Sequence, residues 1–76
     1  METIYNRIKL FRVSKGLSRQ QLAQMVSVNT QTIGYLERQE YNPSLLLAFK
    51  IAKALAAPLE QVFSPVPFKD LAESLH

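Results

Sequence analysis

The chain has 76 residues, a net charge of +3 and 47% hydrophobic residues. This length allows one small domain with a single core, and the apolar content argues against disorder. There is no cysteine and the one histidine is His76, which excludes a disulfide framework, a thiol nucleophile and a structural zinc site. The apolar runs are far shorter than the roughly 20 residues of a membrane span, and no secretion signal is expected from the first residues.

The positive charge is concentrated in the first half of the chain. Residues 1–38 hold six Lys or Arg and two Glu, whereas residues 39–76 hold three Lys and four acidic residues. A basic half suits an anionic partner such as nucleic acid. It equally suits an ordinary solvated surface, so the charge alone does not identify a partner.

Two helices are predicted in the first third of the chain. Residues 4–14 carry apolar side chains at helical spacing, and Gly16 is a suitable residue to end that helix. Ser18 and Gln21 have the spacing of a capping box, which predicts that a second helix begins there. The residues expected to face inward from these two helices are Ile4, Ile8, Phe11, Leu22, Ala23 and Val26.

Three further helices are predicted, each after a short connection. Residues 27–29 can form only a turn, and a third helix is expected over residues 29–38 with Asn29 as its N-cap. After a loop at residues 39–43, Ser44 caps a fourth, central helix, and Pro58 opens a short fifth one. No segment alternates at period two for long enough to predict a sheet. The inward residues of these helices are predicted to be Ile33 and Leu36, then Leu45, Ala48, Phe49, Ala52 and Leu55 with a second strip of Leu47, Ile51 and Ala54, then Leu59, Val62 and Phe63.

The character of the sequence changes after Phe63. Residues 64–67 read Ser-Pro-Val-Pro and cannot continue a helix. The residues that follow have a weak amphipathic pattern, which fits either a frayed tail or a helix that docks on its own domain or on a second subunit. We therefore place one domain at residues 1–64 and a separate C-terminal segment at residues 65–76. The amphipathic pattern is formed by Phe68, Leu71, Ala72 and Leu75.

The second and third predicted helices form the functional signal. Two short helices joined by a short turn are the helix-turn-helix arrangement, and its second helix can enter the major groove of DNA. A merely solvated helix face usually carries Lys and Glu, but the outward face of the third helix is rich in amides and hydroxyls. Gln31 can form two hydrogen bonds with an adenine edge, and the Thr30 methyl group can meet a thymine methyl. This outward face comprises Asn29, Thr30, Gln31, Gly34, Tyr35 and Arg38.

At these motifs the chain resembles the XRE family of phage repressor and Cro-type regulators. The resemblance runs from about Asn6 to Ser64, through NRIKLFRVSKGLSRQQLAQMV and SVNTQTIGYLERQEYNPSLLLAFKIAKALAAPLEQVF. It implies an all-α, five-helix repressor-like fold and a sequence-specific regulator, a repressor, of double-stranded DNA. We further expect a homodimer on a palindromic operator, because one domain of this size reads only a few base pairs and two-fold symmetry doubles the site. We expect it in the cytoplasm, with no membrane association, cofactor or small-molecule ligand.

The resemblance also implies roles for individual residues. Base reading falls to Asn29, Thr30, Gln31 and Tyr35, and phosphate contacts to Arg19, Arg38, Tyr41 and Asn42. Arg12 and Glu37 match a partly buried ion pair between the first and third helices, so we interpret them as structural. Asn29 could instead be a plain helix cap, and Tyr35 a half-buried aromatic residue. The dimer surface is expected at the fifth helix and the C-terminal segment, through Leu59, Val62, Phe68 and Leu71.

The chain departs from the family pattern at several positions. Ser27 stands where the family usually has glycine, and a left-handed backbone there would cost about 1 kcal/mol. Gln39-Glu40 replaces the common glycine-lysine, so Glu40 would face phosphates with the wrong sign. Apolar Leu10, Val13 and Leu46 occupy positions that are usually polar. They leave open incidental surface apolarity, a dimer surface, or a protein-interaction module of the same fold with weak or lost DNA binding.

Enzyme chemistry finds no support in the sequence. Gly16 and Gly34 are too far apart to build a phosphate-binding glycine loop. A Ser-His-Asp arrangement would depend on His76, the last residue of the chain. We therefore predict no catalytic site and no metal site.

Overall fold

Five helices dominate the computed structural model, which describes residues 2–69. The predicted all-α class is confirmed, with one small addition, a two-stranded antiparallel sheet. In chain order the elements are β1 (Tyr5–Asn6), α1 (Ile8–Ser14), α2 (Arg19–Met25), α3 (Thr30–Glu37), α4 (Leu45–Ala54), α5 (Leu59–Val62) and β2 (Phe63–Ser64).

Local capping residues fix where α2 and α4 begin. The Gln21 amide donates to Ser18 Oγ over 3.0 Å, and the Ser18 amide donates to Gln21 Oε1 over 2.8 Å. This is the predicted capping box, and it satisfies two backbone donors that the helix itself leaves free. Ser44 Oγ likewise accepts from the Leu47 amide at the start of α4, over 3.1 Å. Asn29 occupies the N-cap position of α3, but its side chain accepts no hydrogen bond from the helix.

Four helices end on a residue with a left-handed backbone. The φ angles are 70° at Gly16, 60° at Ser27, 61° at Gln39 and 53° at Ala56. Each of these residues lets the chain reverse and return a backbone hydrogen bond to the last helical turn. The Val28 amide, for example, donates to the Ala23 carbonyl over 3.0 Å. Only one of the four positions is glycine, so the other three carry the cost of a Cβ in this conformation.

The sequence predicted no sheet, which is wrong, and α1 is shorter than predicted. Helix α1 begins at Ile8, because residues 5–6 instead form β1 and pair with β2, Tyr5 opposite Ser64. Asn6 ends the strand and starts the helix: its Oδ1 accepts from the Ile8 amide over 3.1 Å. Its Nδ2 donates to the Leu36 carbonyl over 2.7 Å. The short sheet therefore anchors the N-terminal segment to the end of α5, and the Asn6 side chain anchors it to α3.

All five described helices contribute to one buried core, but one of the two apolar strips predicted to face inward from α4 was partly wrong. Leu45 is 67% exposed and Phe49 is 52% exposed. Both strips of this helix are apolar, so periodicity could not decide between them. Val62 is fully buried, so its predicted part in a dimer surface is also wrong. The largest fully buried side chains are Ile8, Leu22, Ile33, Leu36, Ile51, Leu55 and Val62.

The described part of the C-terminal segment packs on the start of α1. The Arg7 guanidinium lies 4.2 Å from the centre of the Phe68 ring, and Arg7 Nε donates to the Gln61 carbonyl over 2.9 Å. Phe68 itself is not helical. The rest of the predicted amphipathic turn, at Leu71, Ala72 and Leu75, lies outside the described residues. Within residues 2–69, no helix has both the length and the apolarity needed to cross a bilayer.

Candidate nucleic-acid interface

Helices α2 and α3 form a tightly joined pair that fixes which face of α3 is exposed. Residues 26–29 connect them, and the turn is closed by the hydrogen bond from the Val28 amide to the Ala23 carbonyl. Leu22 of α2 and both Ile33 and Leu36 of α3 are buried in the core. Because the apolar side of α3 is held inside, its polar side must face solvent.

The four residues expected to read bases are all accessible. Asn29, Thr30 and Gln31 are exposed at the start of α3, and Tyr35 is 48% exposed one turn later. Since the Asn29 side chain makes no capping bond, its amide is available to a partner. The exposure of Tyr35 also fits the half-buried aromatic residue considered above. One shallow depression joins this face to its flanking arginines, and it is lined by Arg19, Thr30, Gln31, Gly34, Tyr35 and Arg38.

The expected ion pair of Arg12 and Glu37 is short and shielded from solvent. Arg12 Nε lies 2.7 Å from Glu37 Oε2, and Arg12 Nη1 donates to the Leu17 carbonyl over 2.8 Å. The Glu37 side chain is only 3% exposed. The pair therefore joins α1, the turn after α1 and α3 around one carboxylate.

Arg19 joins this carboxylate as well, which sequence reasoning missed. Its Nε lies 3.0 Å from Glu37 Oε1, while 44% of the Arg19 side chain stays exposed. Burial by itself raises the pKa of Glu37, but the hydrogen bonds and charges of Arg12 and Arg19 outweigh it, and the pKa lies below the ordinary value of 4.5. Two arginines on one carboxylate leave a net positive charge, and Arg19 is its accessible end. No sequence signal links Arg19 to Glu37, because only the packing of α2 against α3 brings them together.

Arg38 is engaged within its own loop. Its Nε donates to Glu40 Oε2 over 3.0 Å and lies 3.3 Å from Oε1. Its guanidinium lies 5.4 Å from the centre of the Tyr35 ring. It also covers Gly34, where a Cβ would lie 3.2 Å from Arg38 Nη1. Arg38 thus lies back along the exposed face of α3, beside the residues expected to read bases.

The last two expected phosphate contacts lie in the loop after α3. Tyr41 is 47% exposed. Asn42 is exposed, but its Oδ1 accepts from the Ile4 amide and its Nδ2 donates to the Glu2 carbonyl, each over 3.1 Å. Asn42 therefore holds the N-terminal segment against this loop, a role that sequence reasoning did not anticipate. Its phosphate contact stays a prediction, and forming it would require sharing or exchanging these bonds.

Comparison with known sequences places this chain in a family. Residues 8–62 match the helix-turn-helix family model. An uncharacterised HTH-type transcriptional regulator of Archaeoglobus fulgidus is 46% identical over 57 residues, which cover 75% of this chain and 81% of the relative. The uncharacterised regulator YgzD of Bacillus subtilis is 43% identical over 58 residues, covering 76% of this chain and 88% of that protein.

Solved structures agree with the sequence match. The restriction-modification controller protein C.AhdI from Aeromonas hydrophila is 31% identical with a TM-score of 0.68, over 71% of this chain and 82% of that chain. The hypothetical transcription factor NHTF from Neisseria is 31% identical with a TM-score of 0.71, over 90% of this chain and 72% of that chain. The chain therefore belongs to the XRE-type helix-turn-helix family of DNA-binding transcriptional regulators, which is not an enzyme family.

Proposed function

We propose that this regulator reads a specific operator by inserting the exposed face of α3 into the major groove. The observation that carries the proposal is the free polar start of α3. Asn29 and Gln31 are exposed, and within residues 2–69 neither side-chain amide is used in a hydrogen bond to the protein. Such amides can donate and accept together, which is what distinguishes base pairs in the major groove. Thr30 and Tyr35 extend the same face with a methyl group and a ring.

Phosphate contacts on either side of this face would hold the helix in register. Arg19 offers the accessible end of a cluster with excess positive charge. Arg38, Tyr41 and Asn42 lie at and just after the C-terminal end of α3, where the loop can follow the sugar-phosphate backbone. These contacts add affinity without sequence information, so they complement the base contacts of α3.

We further propose that a homodimer binds a palindromic operator, with the recognition helices about 34 Å apart. One α3 reads only a few base pairs, and two-fold symmetry doubles the site. The surface that supports this proposal is an apolar groove beside α5, whose lining includes half-buried Leu59 and strongly exposed Leu45. The groove is lined mainly by Ile4, Pro43, Leu45, Ala48, Leu59 and Phe63. Residues 1–64 would form the DNA-binding unit.

Occupying an operator that overlaps a promoter excludes polymerase, so repression in the cytoplasm is the regulatory outcome that we propose. Sedimentation at micromolar concentration, with and without a palindromic duplex, tests the assembly. A complex that stays at one chain per duplex on such DNA would contradict the dimer.

The decisive experiment separates base reading from general attraction to DNA. An operator is first selected from random duplexes, and affinities are then measured on this operator and on a scrambled duplex. Gln31→Ala should weaken operator binding by about 1–3 kcal/mol and relax the preference at one base pair, with little effect on the scrambled duplex. Gln24→Ala removes the same side chain from an exposed position on α2 outside the depression, and should change neither affinity. An equal loss on both duplexes for Gln31→Ala would show that α3 does not read bases.

One observation favours a second function, a protein-interaction module. Leu10, Val13 and Leu46 are exposed by 59%, 58% and 66%, as the sequence departures suggested. Single exposed apolar residues are common, and the three residues lie on two different helices. If no duplex is selected at low salt, this second function becomes the better interpretation.

A further inference from the structure

The contact between Arg38 and Glu40 is built into the fold of the loop after α3. Gln39 takes a left-handed backbone with φ 61°. The Glu40 amide then donates to the Tyr35 carbonyl over 2.9 Å. These two features return the chain toward α3, so that the Glu40 carboxylate meets the Arg38 guanidinium with both oxygens within 3.3 Å of Nε.

The Glu40 carboxylate stands in the place of a phosphate on this guanidinium. Arginine binds carboxylate and phosphate oxygens through the same planar donors. Here the Arg38 side chain is also confined by the Tyr35 ring on one side and by Gly34 beneath it. Both partners remain about half exposed, at 52% and 48% of their side-chain surface. Glu40 contacts only Nε of the guanidinium, so a DNA phosphate that approaches Arg38 either displaces Glu40 or binds the Nη atoms against the repulsion of its carboxylate.

We propose that Glu40 lowers the sequence-independent affinity of this protein for DNA by competing with phosphates for Arg38. This inference rests on the proposed DNA-reading function and deepens it. Arg19 makes a useful contrast, because its carboxylate partner is shared with Arg12 and the cluster keeps a net positive charge. The two arginines thus differ: the cluster that contains Arg19 keeps an excess positive charge for phosphates, whereas Glu40 neutralises the charge of Arg38. Less of the protein is then held on DNA without an operator.

Replacing Glu40 by Gln tests the inference without knowledge of the operator. Gln keeps the size of the side chain but removes its charge. On a mixed-sequence duplex, each added phosphate contact steepens the salt dependence of log K by about 0.9 and raises the affinity roughly eightfold near 0.1 M salt. We expect a gain of that order for Glu40→Gln, measured by fluorescence anisotropy from about 50 to 200 mM salt. Thermal melting should confirm that the variant is folded.

Two controls separate competition for Arg38 from a simple change of net charge. Glu2→Gln removes one negative charge from the N-terminal segment beside the same loop, and should change the affinity about twofold at most, as befits an exposed charge without this partner. In an Arg38→Ala background, Glu40→Gln should likewise gain only about twofold at most, because the group competed for is absent.

The outcomes distinguish this inference from the proposed function. If wild type binds the mixed-sequence duplex and Glu40→Gln gains nothing, the inference is wrong while DNA binding stands. An equal gain from Glu2→Gln, or an undiminished gain in the Arg38→Ala background, also overturns the inference, because charge alone would explain it. If neither wild type nor any variant binds DNA at low salt, the proposed function and the inference both fail.

Discussion

Two arginine–glutamate contacts lie within three residues of each other at the end of α3, and they differ mainly in burial. The Glu37 side chain is 3% exposed and touches Arg12 and Arg19, whereas the Glu40 side chain is 48% exposed and touches Arg38. Shielding from water strengthens the attraction between charges and also raises the cost of leaving one alone. The same pair of residue types therefore serves as a structural joint at Glu37 and as an adjustable surface contact at Glu40.

The hydrogen bonds that surround the Glu37 carboxylate support the structural role. Both carboxylate oxygens accept from an arginine, and Arg12 uses a further nitrogen on the Leu17 carbonyl. Within the described residues, no buried side-chain nitrogen or oxygen lacks a partner. A buried charge in such a network is costly to remove singly, because its nearly buried partner Arg12 cannot turn to water.

The largest effect is expected from Glu37→Ala. It leaves Arg12, a residue that is only 8% exposed, without its carboxylate, and should lower the free energy of unfolding by about 3 kcal/mol. Glu40→Ala is the matched control three residues away and should cost less than about 1 kcal/mol. Denaturant melts measure both. Equal losses for Glu37→Ala and Glu40→Ala would contradict the distinction between the two contacts. If the double mutant of Glu37→Ala and Arg12→Ala lost as much stability as the two single mutants together, the buried pair would not be coupled.

The two arginines of the buried cluster should also differ from each other. Arg12→Ala removes the nearly buried partner and should cost about 2–3 kcal/mol, because Glu37 loses its shorter contact and the Leu17 carbonyl loses its donor. Arg19→Ala removes a partner whose side chain is 44% exposed, and should cost about 1 kcal/mol or less. The same denaturant melts compare them. A larger loss for Arg19→Ala would mean that exposure does not set the strength of these contacts.

The same cluster should also make the stability of the protein depend on pH, with a smaller effect than Glu37→Ala. The pKa of Glu37 is lowered in the folded protein from the ordinary value of 4.5. As the pH falls, Glu37 is therefore protonated in the unfolded chain before it is protonated in the folded protein. The stability that the ionised carboxylate contributes is complete above pH 4.5 and is lost as the pH falls through the folded pKa. The effect should be smaller than that of Glu37→Ala, since a protonated carboxyl still fills its site.

Glu37→Gln is the reference for this titration, because it cannot ionise. The stability difference between wild type and Glu37→Gln should be largest near neutral pH and shrink in acid. Urea melts at a series of pH values measure it. A difference that grew on acidification would reverse the assigned direction of the pKa change.

Local signals were sufficient to predict much of the fold. The capping residues Ser18 and Ser44 act on amides three residues away, so the starts of α2 and α4 could be read from the sequence. The two-residue strands could not be predicted, because neither is long enough to show alternation and their pairing joins opposite ends of the fold. Leu45 was assigned to the core because both faces of α4 are apolar.

Only part of the candidate site could be predicted from the sequence. The pairing of Arg12 with Glu37 followed from a family resemblance, whereas the addition of Arg19 depends on how closely α2 approaches α3. The contact of Glu40 with Arg38 depends on the left-handed backbone of the residue between them, Gln39. Glutamine does not indicate such a backbone in a sequence, whereas glycine would. The base-reading roles of α3 remain predictions, since they depend on a DNA partner.

The smallest expected effect concerns the backbone that places Glu40. Gln39 has φ 61°, where glycine carries no Cβ penalty, so Gln39→Gly should stabilise the protein by about 0.5–1 kcal/mol after the greater flexibility of the unfolded chain is subtracted. Gly16→Ala is the opposite test at an equivalent helix end, with φ 70° and no atom near the added Cβ, and should destabilise by about 1 kcal/mol. Denaturant midpoints give both values. Because Gln39→Gly keeps the turn, it should leave the Arg38–Glu40 contact and the affinity for mixed-sequence DNA unchanged. A stabilised variant with higher DNA affinity would mean that the turn, and not the Glu40 charge, restrains Arg38.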